Sequence, residues 1–320
     1  MNDRLLTGKN LRMLYRRKSE VVVVYLVMLA LAIVGAFTSD VFFTAKNLRN
    51  ILSANVGLLF ITFAQLVIIT LGGVDLSTGS IISLVNVMAV TMMKDSVSSL
   101  LLTVLLCLLT GFVIGLLNGL LVVKGDMQPI IATLATQTVF AGVTLLIMSA
   151  PDGTLPYRFC KFITKGWGYL FPVLLMILIT AGMWLLMYRT NFGRNLFAIG
   201  GNEQAAECTG INVGRTKLMA FAFSGLLSAL AALYISFYST SGNPLLGSPH
   251  TQRSITTVVV AGASLSGGKS SVIGCLAAVA IMGIINNLLN LMQVYSYYQF
   301  VIQGVILIVA LAVSAMRAKK

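Results

Sequence analysis

Charge is scarce in this chain: of 320 residues only 10% are Asp, Glu, Lys or Arg, against about a quarter in soluble globular proteins. Acids are scarcest, nine in all, which leaves few carboxylates for paired acid–base catalysis or for an ion relay through a membrane. A single histidine, His250, excludes His-pair metal sites and argues against Ser-His-Asp chemistry; it reads as a loop residue. The four cysteines, Cys107, Cys160, Cys208 and Cys275, are widely spaced, and at least two lie in apolar runs. They show neither a disulfide framework nor a metal-ligand spacing.

Apolar residues fill that space. They make up 58% of the chain, and the mean hydropathy is +0.93, values that define an integral membrane protein rather than a soluble fold. The 22 Lys and Arg cluster between apolar runs. That is the positive-inside pattern of membrane topology, not a phosphate-binding face, so the net charge of +13 implies no nucleic-acid partner.

Dividing the chain at charges, prolines and glycine clusters predicts an all-α membrane domain over 1–320 with about ten segments. The spans fall at 21–39, 51–71, 76–93, 99–123, 129–149, 169–188, 217–238, 254–265, 272–291 and 297–315, the eighth too short for a full crossing. The first follows a basic segment, 1–20, and is too long for a signal-peptide core and without a clear Ala-x-Ala site. With the N-terminus inside, 15 basic residues fall on the inner side and seven on the outer. Both termini are then cytoplasmic. Five segments per half, with glycine-rich breaks at 72–80 and 241–271, predict an inverted 5+5 repeat with broken or re-entrant segments.

The first break is the most distinctive stretch. Leu71-Gly-Gly-Val-Asp75-Leu-Ser-Thr-Gly-Ser80 carries the only charge between Arg49 and Lys94, and an ionisable group at membrane depth faces protein or a watery path rather than lipid. Gly72, Gly73, Asp75, Ser77 and Gly79 therefore read as a pathway or an elbow, with Asp75 capping the helix that follows by accepting from backbone near Ser77 and Thr78. The charge count puts this elbow toward the cytoplasmic half. Gln65, Asn86 and Asn118, with Gln137, Asn286 and Asn287, either line a path or tie helices together. Few buried acids favour a neutral polar solute over an ion.

A long inner loop, 189–216, is polar without being low in complexity. Asn202 suits an N-cap, Glu203 the first turn, and Gly210 a left-handed C-terminal stop. A helix of two turns cannot stand alone. One displaying Ala205, Ala206 and Ile211 makes sense as a docking element. Further on, Ala263-Ser-Leu-Ser-Gly-Gly268-Lys269-Ser270 after the strand-like Val258-Val-Val imitates a phosphate loop, but membrane flanks and scarce acids argue against ATP binding there.

Together, Gly72-Gly-Val-Asp-Leu-Ser-Thr-Gly-Ser80, Thr190-Asn-Phe-Gly-Arg194, Ala198-Ile-Gly-Gly-Asn202, Gly210-Ile211 and Val260-Ala-Gly-Ala-Ser-Leu-Ser-Gly-Gly268 make the chain similar to permease subunits of bacterial ABC importers of the ribose and related monosaccharide type. The resemblance covers nearly the whole chain. It implies a multi-pass protein of the bacterial inner membrane that catalyses no reaction and binds no cofactor itself, ATP and Mg²⁺ residing on cytoplasmic ATPase subunits. A second permease copy or homologue and a periplasmic solute-binding protein complete the implied assembly. Gly200, Gly201, Asn202, Glu203, Ala205, Ala206, Glu207, Gly210 and Ile211 would form the coupling helix and its approach. Where members of that family carry an acid, Thr251-Gln-Arg-Ser-Ile-Thr-Thr-Val258 has none. A self-sufficient secondary transporter, or the same ABC mechanism acting on a nucleoside or branched-chain amino acid, remain open alternatives. A membrane enzyme lacks the convergent groups it would need.

Overall fold

A computed structural model describes residues 8–318; Arg4, Lys319 and Lys320 of the charge count lie outside the described residues. The chain is 79% helical. In order it forms α1 (Gly8–Thr38), α2 (Ala45–Thr70), α3 (Thr78–Met92), α4 (Val97–Val123), α5 (Pro129–Ile147), a short strand β1 (Asp152–Thr154), α6 (Tyr157–Lys165) and α7 (Leu170–Arg189). Then follow α8 (Asn191–Gly201), α9 (Glu203–Cys208), α10 (Val213–Ser239), β2 (Ser241–Gly242), α11 (Ser248–Val260), α12 (Val272–Leu291) and α13 (Ser296–Ala318). Local chemistry sets the starts: Thr44, Ser96, Thr190, Asn202, Asn212 and Ser271 each accept a backbone N–H of the first turn, supplying partners for helix-end donors. β1 and β2 pair antiparallel, tying the α5–α6 loop to the α10–α11 loop.

Each of the ten expected segments coincides with a helix. Among the described residues six helical stretches are long and apolar enough to cross a membrane, α6–α7 counting as one. Three starts differ from expectation by six residues or more, that of α2 lying at Ala45 rather than 51. The first helix reaches back to Gly8 through the basic segment, where Lys and Arg are good helix formers and no breaker intervenes. The segment expected at 254–265 is helical over Ser248–Val260, so Val258-Val-Val is helix, not strand.

The bundle is built around α2 and α10, whose apolar windows are 83% and 72% buried, while those of α4, α5 and α6–α7 are 17–28% buried and form the perimeter. Helix α10 packs on α4, α2 and α3. The α4 contact is close because Gly111, Gly115 and Gly119 recur every four residues and face Gly225, Phe221 and Leu218, the small-residue approach that draws membrane helices together.

Two of the expected spans, α3 and α11, are helices too short to cross by themselves. At 1.5 Å per residue α3 and α11 span only about 22 and 20 Å, short of the roughly 30 Å hydrocarbon core. Their N-termini meet inside the bundle: a side chain on Gly79 would lie 2.9 Å from Gly247 O, and Ser83 Oγ accepts from Gly247 N at 3.0 Å. Each half-helix is reached by a non-helical segment, residues 71–77 before α3 and 240–247 before α11. Each packs on the long helix of the other half, α3 on α10 and α11 on α2.

Candidate functional site

Three places matter, and the first is the elbow. Asp75 is fully buried. Its Oδ1 accepts from Ser77 N (2.9 Å) and Ser77 Oγ (2.6 Å), and its Oδ2 from Ser224 Oγ of α10 (3.0 Å). Ser77 Oγ in turn accepts from Asn118 Nδ2 of α4 (2.8 Å), and Asn118 Oδ1 accepts from Thr136 Oγ1 of α5 (2.6 Å). With its amide oriented to match both partners, Gln65 of α2 donates to Asp75 O (3.1 Å) and accepts from Asp75 N (3.2 Å). The Asp75 network thus draws α2, α3, α4, α5 and α10 to a point, the carboxyl oxygens met by three donors, as a buried polar group requires. Asn86 does similar work nearer β2, donating to Ser236 Oγ (2.9 Å) and Ser241 O (3.2 Å) and accepting from Asn243 N (2.7 Å).

Around the foot of the elbow the two glycine breaks touch. Gly268 N donates to Thr70 O at 3.0 Å, and Gly72, at φ +86°, lies against Ser266. The same spot receives Gly200 from α8, whose backbone rests on Thr70 and Gly268. Gly73 instead lies against Pro129 at the start of α5.

The second place, α9, continues from Gly201. Asn202 Oδ1 accepts from Ala205 N (2.9 Å), and Gly210, at φ +83°, closes the turn in the left-handed region that favours glycine. Glu203 pairs with Lys217 of α10 at 2.6 Å. Ala205 and Glu207 are exposed and Ile211 half-buried. Ala206 departs from expectation: it is 4% exposed and fastens α9 to the bundle instead of being displayed, since one face of so short a helix must pack inward.

The third place was not assembled by sequence reasoning. A cavity of about 370 Å³ opens between the first half of α2, the end of α10, the start of α11, the second half of α12 and the start of α13. Amides dominate its polar wall, from Asn50, Asn55, Asn286, Asn287, Asn290 and Gln299, joined by Tyr234, Tyr238, His250 and Arg253. Leu58, halfway along α2, marks its depth. None of Gly72, Gly73, Asp75, Ser77, Gly79, Gln65, Asn86 and Asn118 lines it. His250, expected in a loop, is in the first turn of α11, and its buried Nδ1 has no hydrogen-bond partner. The acid-free stretch at 251–258 lies in the same helix, and Arg253 Nε donates to Gln303 Oε1 (2.9 Å). Only Asn286 and Asn287 gave a sequence signal, as amides in an apolar run.

Cavity and loop lie at opposite ends of the bundle. Asn50 and Thr70 are twenty positions apart on α2, about 30 Å along a helix. A multi-pass helical protein with a polar cavity at one end and a capped, partly exposed helix at the other belongs to the membrane transport permeases. Residues 47–311 match the family described as branched-chain amino acid transport system / permease component, and the chain belongs to that family. It is 37% identical over 293 residues to the ribose import permease protein of Bacillus subtilis, covering 89% of this chain and 90% of that one. The ribose import permease protein of Haemophilus influenzae is 34% identical, with 93% of each chain covered. The galactose/methyl galactoside import permease protein of Escherichia coli is 32% identical, with 95% of each covered. No solved structure matches the chain.

Proposed function

We propose that the chain is the membrane-spanning permease subunit of an ABC importer, providing the path for a monosaccharide or similar small neutral polar solute. The relatives named for ribose and for galactose/methyl galactoside import support a sugar over the amino acid of the family description. In this reading ATP and Mg²⁺ belong to cytoplasmic ATPase subunits, a periplasmic binding protein delivers the solute, and a second copy or a homologous permease completes the pair. The protein resides in the bacterial inner membrane with both termini cytoplasmic. Ten membrane segments form two inverted halves, α3 and α11 being the equivalent broken elements; their opposed N-termini and exchanged packing support that symmetry.

The observation that carries this reading is the placement of α9. It is a two-turn helix, capped at both ends and largely exposed, that sits where both glycine breaks meet α8. Docked in an ATPase groove, Asn202, Glu203, Ala205 and Glu207 would face the partner. Gly200 and Ala206 would transmit its movement to the bundle, while Gly210 and Ile211 set the exit into α10. Reconstituted vesicles test it: uptake should need the ATPase, ATP and the binding protein, and the purified chain should hydrolyse no ATP. Uptake by vesicles holding this chain alone, driven by a proton or sodium gradient, would refute it.

A further inference from the structure

We propose that the amide-lined cavity is a solute site within a single protomer, built for a neutral polyhydroxylated molecule of monosaccharide size and closed to zwitterionic amino acids. The inference rests on the permease reading above and adds to it the place and chemistry of recognition.

Size is the first argument. At about 370 Å³ the cavity is near the small end of the range for ligand pockets, roughly 300–1,000 Å³. It holds one sugar ring and a few waters. The second argument is the pattern of free polar groups. Asn50 Oδ1 accepts from Tyr169 Oη (3.2 Å), Asn286 Oδ1 from Gln303 Nε2 (3.0 Å) and Asn290 Oδ1 from Gln299 Nε2 (2.8 Å). These bonds hold the amides by their oxygens, and among the described residues the three Nδ2 groups have no partner. His250 Nδ1 offers the complementary acceptor, buried and unpaired. An unpaired buried nitrogen costs free energy, and a turn of the ring that brings it to a ligand hydroxyl removes that cost. Hydroxyls, which donate and accept at once, suit such a wall, and a sugar presents several.

The third argument is what the wall omits. It contains no Asp or Glu, and its one charged group is Arg253. An amino acid would carry its ammonium beside a guanidinium with no carboxylate to meet it, a desolvated charge without a partner. Apolar surface from Ala54, Leu58, Ile235 and Leu246, with the rings of Tyr234 and Tyr238, suits the C–H faces of a sugar.

The test uses the assembled importer in intact cells. His250→Phe removes the acceptor, and uptake of labelled D-ribose or D-galactose should fall roughly fivefold or more, the worth of one hydrogen bond, at unchanged membrane level. Leu246→Cys should keep enough uptake to assay, and a membrane-impermeant methanethiosulfonate should then block what remains. An excess of D-ribose should slow the modification at least about threefold and L-leucine should not. The wild-type importer, whose exposed thiol is Cys208 of α9, sets the baseline. Sugar uptake that survives both His250→Phe and modified Leu246→Cys, or protection by L-leucine, overturns the proposal while the permease reading stands. If His250→Phe fails to reach the membrane, Leu246→Cys decides alone. A wild-type importer that takes up another solute and no monosaccharide overturns the permease reading for sugars and this proposal with it.

Discussion

Replacing Gly200 by alanine tests whether the loop and the bundle act as one body. A methyl group at Gly200 would overlap Thr70 O and lie 2.6 Å from Gly268 N and 3.0 Å from Thr70 C. All three are backbone atoms with no rotamer to turn away, so the chains themselves must part, and parting them lengthens the 3.0 Å bond from Gly268 N to Thr70 O. Overpacking of this kind costs about 1–3 kcal/mol, and the strained hydrogen bond adds about 1 kcal/mol, so the variant should lose about 2–4 kcal/mol. Gly201→Ala is the control: a side chain there meets nothing within 4 Å, and alanine in a helix is favoured over glycine by about 0.5–1 kcal/mol. Thermal unfolding of the detergent-purified proteins should separate the two clearly, with Gly200→Ala lower and Gly201→Ala equal to or above the parent. ATP-driven uptake should be lost only in the first. Equal melting temperatures and equal uptake would refute the claim that this backbone contact joins the loop to both glycine breaks.

Asp75→Asn preserves hydrogen-bonding capacity at every partner, because the Ser224 hydroxyl can turn to accept, and uptake should stay within about fivefold of the parent; Asp75→Leu strands three donors at about 1–3 kcal/mol each and should abolish recovery of folded protein by size-exclusion chromatography. Asn86→Leu leaves Asn243 N unpaired and should cost about 1–3 kcal/mol in a thermal assay without changing solute preference. Glu203→Lys sets two cations together where Glu203 and Lys217 now pair; a half-exposed pair is worth at most about 1 kcal/mol, so folding should be spared while ATP-dependent uptake falls at least about tenfold. Uptake unchanged by that charge reversal would show that α9 does not dock.

Much of the fold was legible because membrane helices announce themselves by composition. The cap at Asn202 and the stop at Gly210 were legible too, being local backbone chemistry. The start of α11 was not. Ser248-Pro-His-Thr-Gln-Arg253 looks too polar for a membrane element and lay outside the expected span, yet it is helical; further along, Ser254, Thr256 and Thr257 return their hydroxyls to Thr251 O, Gln252 O and Arg253 O, which hides polarity inside the helix. The inward face of α9 was illegible for another reason: which side of a two-turn helix is buried depends on its neighbours, here α10. The cavity needed five helices to converge, and no spacing in the sequence joins Asn50 to Gln299.

The two halves of the bundle solve the same problem in opposite ways. Beside the start of α3 the buried polar groups are satisfied by one another through Asp75, Ser77, Asn118 and Ser224. Beside the start of α11 the amides of Asn55, Asn287 and Gln299 donate within the protein, while Asn50, Asn286 and Asn290 are held by their oxygens alone on the wall of a cavity. The starts of the two half-helices touch at Gly79 and Gly247, and the far end of α11 leads into the loop that bonds Thr70 and receives Gly200. In the proposed reading, a displacement of α9 would reach, through α8, the loop at one end of a helix about 20 Å long, whose other end carries His250 at the wall of the cavity. Contiguity alone does not make coupling, which needs an element with two arrangements that both sites bias. In that reading helix α11 is the element so placed, one of its ends meeting the loop and the other the cavity.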